Sequence, residues 1–300
     1  MTTGYLHPQY AASLAEFGTP RRLPRSGGWI LERDIPGSPY RDAMGCYPLF
    51  RCTDWSALAW DLQELEDRLV SVALVTDPFG RFALDQLRRT FDFCLPFKHH
   101  FVTDLSQPLA QAVHRRHRYN ARRALKYLSV ARCARPPDHL AEWVELYDHL
   151  IARHDISGLR AFSADSFRKL FDVPGLELYV ARRRGDIVAA HVWLVGAAVG
   201  YSHLRATNGV GYQLAAPYAL FWVALHDLAH RVRWASHGGG AGLQQANDGL
   251  THFKRGWATG TRPVYFCGRI LDAGRYEELA EAAGVDRSPY FPIYRAGEFA

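Results

Sequence analysis

Apolar and polar positions along the chain change period several times, and each change predicts an element. Residues 1–45 hold no sustained period and are broken by Pro, Gly and Arg (TPRRLPRSGG, DIPGSPYRD), which predicts an irregular entry segment with short elements. From Trp55 apolar residues recur at helical spacing (Trp55, Leu58, Leu62, Leu65), with Asp54 as N-cap. LVSVALV (69–75) reads as a buried strand ended by a turn at DPFG, FALDQLRRTF (82–91) as a short helix, and KHHFVTDL (98–105) as a strand. A helical stripe over 108–128 carries Val113, Ala121, Ala124, Leu125 and Leu128, with His117 among them. LSVARCA (128–134) reads as a strand. DHLAEWVELYDHLIARHD reads as a helix capped by Asp138, and Ser163 or Asp165 caps a shorter one through Leu170.

The period then falls to two. LELYVARRR, IVAAHVWLV and VGYSHLRA, joined by turns at Gly185-Asp186 and near Gly196, predict an antiparallel three-strand meander. A helix over 212–230 follows, then strand RVRWAS, a glycine loop GGGAG (238–242), a short helix around GLTHFKRGW, strand RPVYFCGRIL and helix GRYEELAEAAG. This order, α–α–β–β–β–α–β–α–β, is a mixed α/β sheet. A doubly wound parallel sheet would alternate strand and helix throughout.

Composition narrows the class. The 300 residues are 48% hydrophobic and 22% charged, an ordinary globular balance. Cys46, Cys52, Cys94, Cys133 and Cys267 are scattered without a CxxC pair, so neither a disulfide framework nor a cysteine zinc site is expected. No apolar run is long enough to span a membrane, and the N-terminus lacks the basic-then-apolar pattern of a signal peptide. A cytoplasmic protein is the expectation.

Charge is concentrated. The net charge is +6, yet the stretch from Leu105 to Pro137 holds eight basic residues and no acidic one, and the remainder carries 28 basic against 30 acidic. Because the apolar stripe takes one helix face, Arg118, Arg122 and Arg123 share the other faces with their basic neighbours. Guanidinium groups so arranged suit phosphates. A merely solvated face normally mixes signs.

Other candidates lie in the second half. His191 alternates with Ala189 and Trp193, and His203 with Tyr201 and Arg205. A neutral imidazole can take the proton that an amine nucleophile must lose. Whether the two histidines share a face depends on the turn between the strands. In DGLTHFKRGW, Asp248 can cap the helix, and Lys254 or Arg255 can face a phosphate or a developing oxyanion. Gly238, Gly239 and Gly240 allow close backbone approach to a ligand, without the Lys-Ser/Thr of a phosphate-binding P-loop. His226 and His230 stand at i, i+4 as in zinc hydrolases, but Asp227 replaces the expected glutamate, so no metal is expected.

The helix HRRHRYNARRALK (114–126), the strand YSHLRAT (201–207), the loop GGGAG and the segment DGLTHFKRGW together resemble the GNAT acyltransferase superfamily, and more closely its two-domain Fem-like branch. The resemblance spans roughly residues 95–275. It implies tandem GNAT-like domains: a degenerate one over 1–107, a basic connecting helix over 108–128, and an acyltransferase domain over 129–300. It implies acyl transfer to a small-molecule, amino-sugar or peptide amine, from acyl-CoA or, as in the Fem branch, from aminoacyl-tRNA. It also suggests Lys254 as a substrate or transition-state contact. Where the superfamily carries Q/R-x-x-G-x-G/A for the CoA pyrophosphate, this chain reads RATNGVG, with Arg205, Gly209 and Gly211 one residue too widely spaced. Tyr201, Arg205 and Asp248 are then candidate substrate contacts, and Gly209, Gly211, Gly239 and Gly240 candidate donor contacts. The rival expectation is a non-catalytic protein of this fold that binds RNA or another polyanion through the basic helix.

Overall fold

The computed structural model describes residues 2–156, 158, 161–240, 248–284 and 290–298. It divides into two compact units, one of Met1–Gly4 and Lys98–Arg262, the other of Tyr5–Phe97 and Pro263–Ala300. The chain thus leaves the N-terminal unit at residue 97, not 107. The 108–128 segment lies inside the larger unit, and the last 38 residues join the N-terminal one. Their pairing is non-local and invisible to local periodicity.

In the smaller unit, β1 (Thr19–Arg22), β2 (Trp29–Asp34) and β3 (Arg41–Gly45) form an antiparallel run, and β4 (Ser71–Val75) pairs parallel with β3. The short elements expected in the irregular entry segment include three strands, which were not assigned individually. Their charged residues, such as Arg21, Arg22 and Arg41, kept them from reading as strands. β11 (Gly260–Ile270) runs antiparallel to β4, Phe266 opposite Val75, and places Cys267 in the same apolar core as Leu74 and Phe50. α1 (Pro8–Ser13), α2 (Leu58–Gln63) and α3 (Leu84–Thr90) are short. α2 is capped at Ala57 rather than Asp54, because the Asp54 carboxylate instead accepts from the Ser56 amide at 2.8 Å in a tight turn. α11 (Ala273–Ala282) completes this unit.

In the larger unit the sheet order is β5-β10-β9-β8-β7-β6. β5 is Phe93–Asp104, β6 Ser129–Arg132, β7 Leu176–Arg183, β8 Asp186–Val195, β9 Val199–Thr207 and β10 Trp234–Ser236. β7 to β9 form the predicted antiparallel meander, and β6 adds to it antiparallel to β7. α9 (Ala216–Leu228) packs on one face with α5 (Arg115–Ala124), over a core that includes Tyr179, Ala189, Trp193 and Phe221. α6 (Leu140–His154) and α7 (Ala164–Phe171) cover the other face. α6 begins after His139, and Asp138 pairs with Arg135 instead of capping it. Ser163 does cap α7, accepting from the Ser166 amide.

Two predicted helices are each two. The 108–128 stripe is interrupted where Val113 and His114 are non-helical, giving α4 (Leu109–Ala112) and α5, with the His114 ring capping α5. The 212–230 stretch splits into α8 (Gly209–Gln213) and α9 at Ala215, whose φ is +55°. α10 (Gly249–Arg255) is capped by Asp248, as expected. Among the described residues no helix is long and apolar enough to cross a membrane.

Candidate functional site

The site begins where β9 loses a neighbour. β10 runs parallel to β9 for three residues, with Ser236 opposite Tyr201. After Ser236, His237 and Gly238 follow β5 through hydrogen bonds with Phe101, and β9 continues to Thr207 paired, among the described residues, on its β8 side alone. Ser202 to Thr207 therefore line an open edge of the strand.

One bulged residue decides which side chains meet at that edge. Val192 lies opposite Leu204, but Trp193 lies opposite Ser202, so His203 is an extra residue on β9. His191 consequently faces Arg205. His191, Ser202 and Arg205 lie on the α9 side, where the Phe221 ring is 4.7 Å from the His191 ring and the Arg205 guanidinium is 5.2 Å from Phe221. His203 lies on the other side, 6.5 Å from the Phe162 ring. The two histidines do not share a face.

The Trp193 Nε1–H donates to His191 Nδ1 at 3.1 Å, so the His191 proton is on Nε2 and is donated to Ser202 Oγ at 2.8 Å. Both ring nitrogens are thus engaged. Burial, then the Arg205, His237 and Lys254 charges, hold the ring neutral, well below the ordinary histidine range. Burial pushes His203 down to about 3. Neither ring is poised to accept a proton near neutral pH.

Lys254 is shifted toward neutrality. α10 directs its Nζ to the carbonyl oxygen of Gly239, 2.6 Å away. Burial, then the charges of Arg205 and Lys98, pull the ammonium down to about 7, against a weaker opposing pull from Asp248. Asp248 itself is a structural cap, accepting from the Thr251 amide at 2.7 Å. Lys98 reaches the Gly240 carbonyl at 3.4 Å. The glycine loop thus turns carbonyl oxygens toward two lysines, and its remainder, residues 241–247, lies outside the described residues. A Cβ on Gly240 would collide with Thr251, so glycine is needed there.

Arg205 completes the centre. Its guanidinium stacks 4.4 Å from the Phe253 ring, and it makes no hydrogen bond or ion pair among the described residues. Burial lowers its pKa to about 10.

Two histidines that the sequence reading missed adjoin this centre. His237 donates from Nε2 to Thr103 Oγ1 (2.7 Å), which donates on to the Trp257 carbonyl (2.7 Å). His237 Nδ1 and His100 Nδ1 are buried without a partner among the described residues. Burial first, then Lys254, pushes both rings down to about 3. His100 precedes the strand core in KHHF, and His237 opens the glycine loop. Only the β5–β10 pairing brings them together.

Other candidates lie apart. Asn208 caps α8 and accepts from the Gly211 amide at 2.9 Å, so that amide is already engaged. A Cβ at Gly211 would strike the Val188 carbonyl, whereas Gly209 faces open space. Tyr201 is buried. On α5, Arg122 and Arg123 are exposed and Arg118 is half-buried, with its Nε unpartnered among the described residues. Of the eight basic residues of the 105–137 stretch, Arg132 and Arg135 form ion pairs. The six from Arg115 to Lys126 form none among the described residues. Tyr119 and Tyr127, each 63% exposed, stand among them. His226 packs on Trp222, and no group of metal-ligating side chains occurs among the described residues.

Residues 114–255, which hold α5, the meander and Lys254, match the family model of the acetyltransferase (GNAT) domain. This chain carries a GNAT domain. The fold around that domain is similar to the crystal structure of FemX, with a TM-score of 0.66 at 14% identity over 90% of this chain and 93% of that one. The C-terminal domain of an Agrobacterium fabrum protein named as a lysylphosphatidylglycerol synthetase is comparably similar, with a TM-score of 0.64 at 16% identity over 92% and 91%. L-PGS from Bacillus licheniformis follows at 0.57 and 13%, over 90% and 94%. No curated protein matches the chain. The mixed α/β architecture is thus that of the two-domain Fem-type GNAT proteins, as the residue resemblance implied.

Proposed function

We propose that the chain is an N-acyltransferase that moves an acyl group from a phosphate-bearing donor to a primary amine by direct attack, at the centre formed by Lys254, Arg205 and the open edge of β9. The observation that carries this reading is Lys254. It is a half-buried ammonium with proton affinity near neutrality, set beside a strand edge whose backbone can hold a carbonyl. The amine lone pair forms the new bond to the acyl carbon, and neutral Lys254 takes the proton the amine loses. The tetrahedral adduct then expels the thiolate or ribose alkoxide, which recovers a proton from Lys254. Protonated Lys254 and Arg205 stabilise the oxyanion in between. His191 is a positioning residue: it holds Ser202 on the strand edge.

Of the two donors, aminoacyl-tRNA is favoured over acyl-CoA. α8 has only five residues and its Gly211 amide is engaged by Asn208, which weakens it as a pyrophosphate cradle. α5 instead presents five cations that form no ion pair among the described residues, with Lys126 and the exposed Tyr119 and Tyr127 beside them, a surface suited to an RNA backbone. The test is thermal-shift titration with CoA, acetyl-CoA and charged tRNA, followed by assay of acyl transfer from the binding donor to a panel of amines. Stabilisation by CoA alone would reverse the choice of donor, and binding of tRNA with no acyl product from any amine would favour a non-catalytic RNA-binding role.

A further inference from the structure

Cys94 and Cys267 meet inside the smaller unit, away from every residue used above. Cys94 lies at the start of β5 and Cys267 near the end of β11, which are neighbouring strands of the sheet. Beside the pair, the Ile270 amide donates to the Asp92 carboxylate at 2.7 Å and the Arg269 guanidinium donates to the Thr90 carbonyl at 3.4 Å, which ties the two strands together. The Cys267 thiol donates to Cys94 Sγ, with the sulfurs 3.9 Å apart. Both thiols are free, and they stand 173 residues apart in the chain. Cys267 is fully buried in the core that holds Leu74, Leu87 and Phe91, and Cys94 is half-buried at its margin.

The two sulfurs are unequal. A reagent in solvent reaches Cys94, while Cys267 is shielded from it and held against Cys94. Burial raises both thiols above the ordinary range, but the hydrogen bond from Cys267 and the Arg88 charge draw Cys94 back, and the same contact raises Cys267 further. Cys94 therefore ionises first. The pair also stands where the chain leaves this unit, after Phe97, and re-enters it, at Pro263. A bond between the two closes a loop of chain that contains the entire larger unit, and long closed loops restrict the unfolded chain most.

We propose that Cys94 and Cys267 form a modification site, at which a peroxide produces an intramolecular disulfide that clamps the returning C-terminal segment to β5. Neighbouring strands lie about 4.8 Å apart, within the Cα separation that a disulfide spans, so side-chain rotation brings the sulfurs into bonding range. The Cys94 thiolate attacks one peroxide oxygen, the O–O bond breaks, and the departing hydroxide leaves as water with the proton that Cys94 released. Cys267 then attacks the sulfur of the Cys94 sulfenic acid. The S–S bond forms, the S–O bond breaks, and the second hydroxide leaves as water with the Cys267 proton. The two sulfurs give up two electrons to the peroxide, and a small dithiol returns them.

The test treats the native protein with hydrogen peroxide, denatures it in iodoacetamide to block thiol exchange, and maps the peptides by mass spectrometry. The expected result is a peptide pair joined through Cys94 and Cys267, with two fewer alkylated cysteines per chain and full reversal by dithiothreitol. Cys94→Ser and Cys267→Ala each prevent the link, and Cys52→Ser, at the edge of the same core, does not. If Cys267→Ala fails to fold, Cys94→Ser, at the half-buried position, carries the comparison. Oxidation raises the Tm of the wild type by about 3–8 °C and leaves that of Cys94→Ser unchanged. Full alkylation after peroxide, Cys94 carried to sulfinic acid with Cys267 unmodified, or Cys94 joined to a second chain would each overturn the proposal. A Cys94–Cys267 link without a rise in Tm would overturn the clamp.

Discussion

The Nζ of Lys254 lies 2.6 Å from the carbonyl oxygen of Gly239, so the lysine proposed to exchange a proton at the strand edge is held by the glycine loop that follows β10. Lys254→Met removes the proton acceptor and leaves the apolar stem in place. Turnover is expected to fall about 100-fold or more with the fold intact. In the wild type the rate should rise with pH through about 7, as the ammonium becomes neutral. Single-turnover rates between pH 5.5 and 9 check this, and a flat profile would remove Lys254 from proton transfer.

The same group makes stability depend on alkaline pH. Its proton affinity in the fold is below that of the unfolded chain, so between about 7 and the ordinary lysine range the unfolded state binds a proton that the native state does not. Stability therefore rises with pH across that window. Urea unfolding at pH 7 and pH 9.5 should show the rise, and Lys254→Met should lose this component of it.

Acid works through His100 and His237. Both are neutral in the fold, pushed down to about 3 by burial and by Lys254. As pH falls from the ordinary histidine value toward 3, the unfolded chain gains protons that the native state refuses, and stability is lost. Each ring contributes at most about 1.4 kcal/mol per pH unit. His237→Gln should shallow the slope of unfolding free energy between pH 6.5 and 4.5. An unchanged slope would mean that the ring titrates normally in the fold.

Gly256 is a steric test of the packing between α5 and α10. A Cβ there would run into the His117 ring, which is pinned by a 3.0 Å hydrogen bond from Nε2 to the Phe253 carbonyl. Gly256→Ala should destabilise by about 1–3 kcal/mol. Chemical denaturation measures it, and a neutral result would show that the His117 ring moves freely.

The α5 cations are tested by salt. Replacing Arg122 and Arg123 with glutamine should weaken tRNA binding and reduce the log–log salt slope by about 1 for each phosphate no longer neutralised. Filter binding between 50 and 300 mM salt reads both effects. An unchanged slope would place the RNA elsewhere.

Much of the framework was legible. LELYVARRR and IVAAHVWLV are apolar-rich runs of strand length bounded by turn residues at Gly185-Asp186 and near Gly196, and both are buried almost throughout, so the meander was legible locally. Asp248 and Ser163 were readable as caps because a cap needs only residues within one turn. β1 to β3 were not readable, since short strands rich in arginine and proline carry no apolar period. The breaks at His114 and Ala215 were hidden for the opposite reason: apolar residues continue through both on the helical stripe.

By itself the sequence determined the mixed α/β class, the meander, and the concentration of cations between Leu105 and Pro137, because these depend on local period and composition. Only the tertiary structure decided which side chains meet. One extra residue at His203 turns that ring to the α6 side and brings Arg205 opposite His191, since side chains on a strand alternate and a slip of one residue exchanges the faces. The pairing of β5 with β10 then gathers His100 and His237 around Lys254 from positions more than 130 residues apart. Such register and pairing are set by the packing of whole layers, which no local pattern encodes.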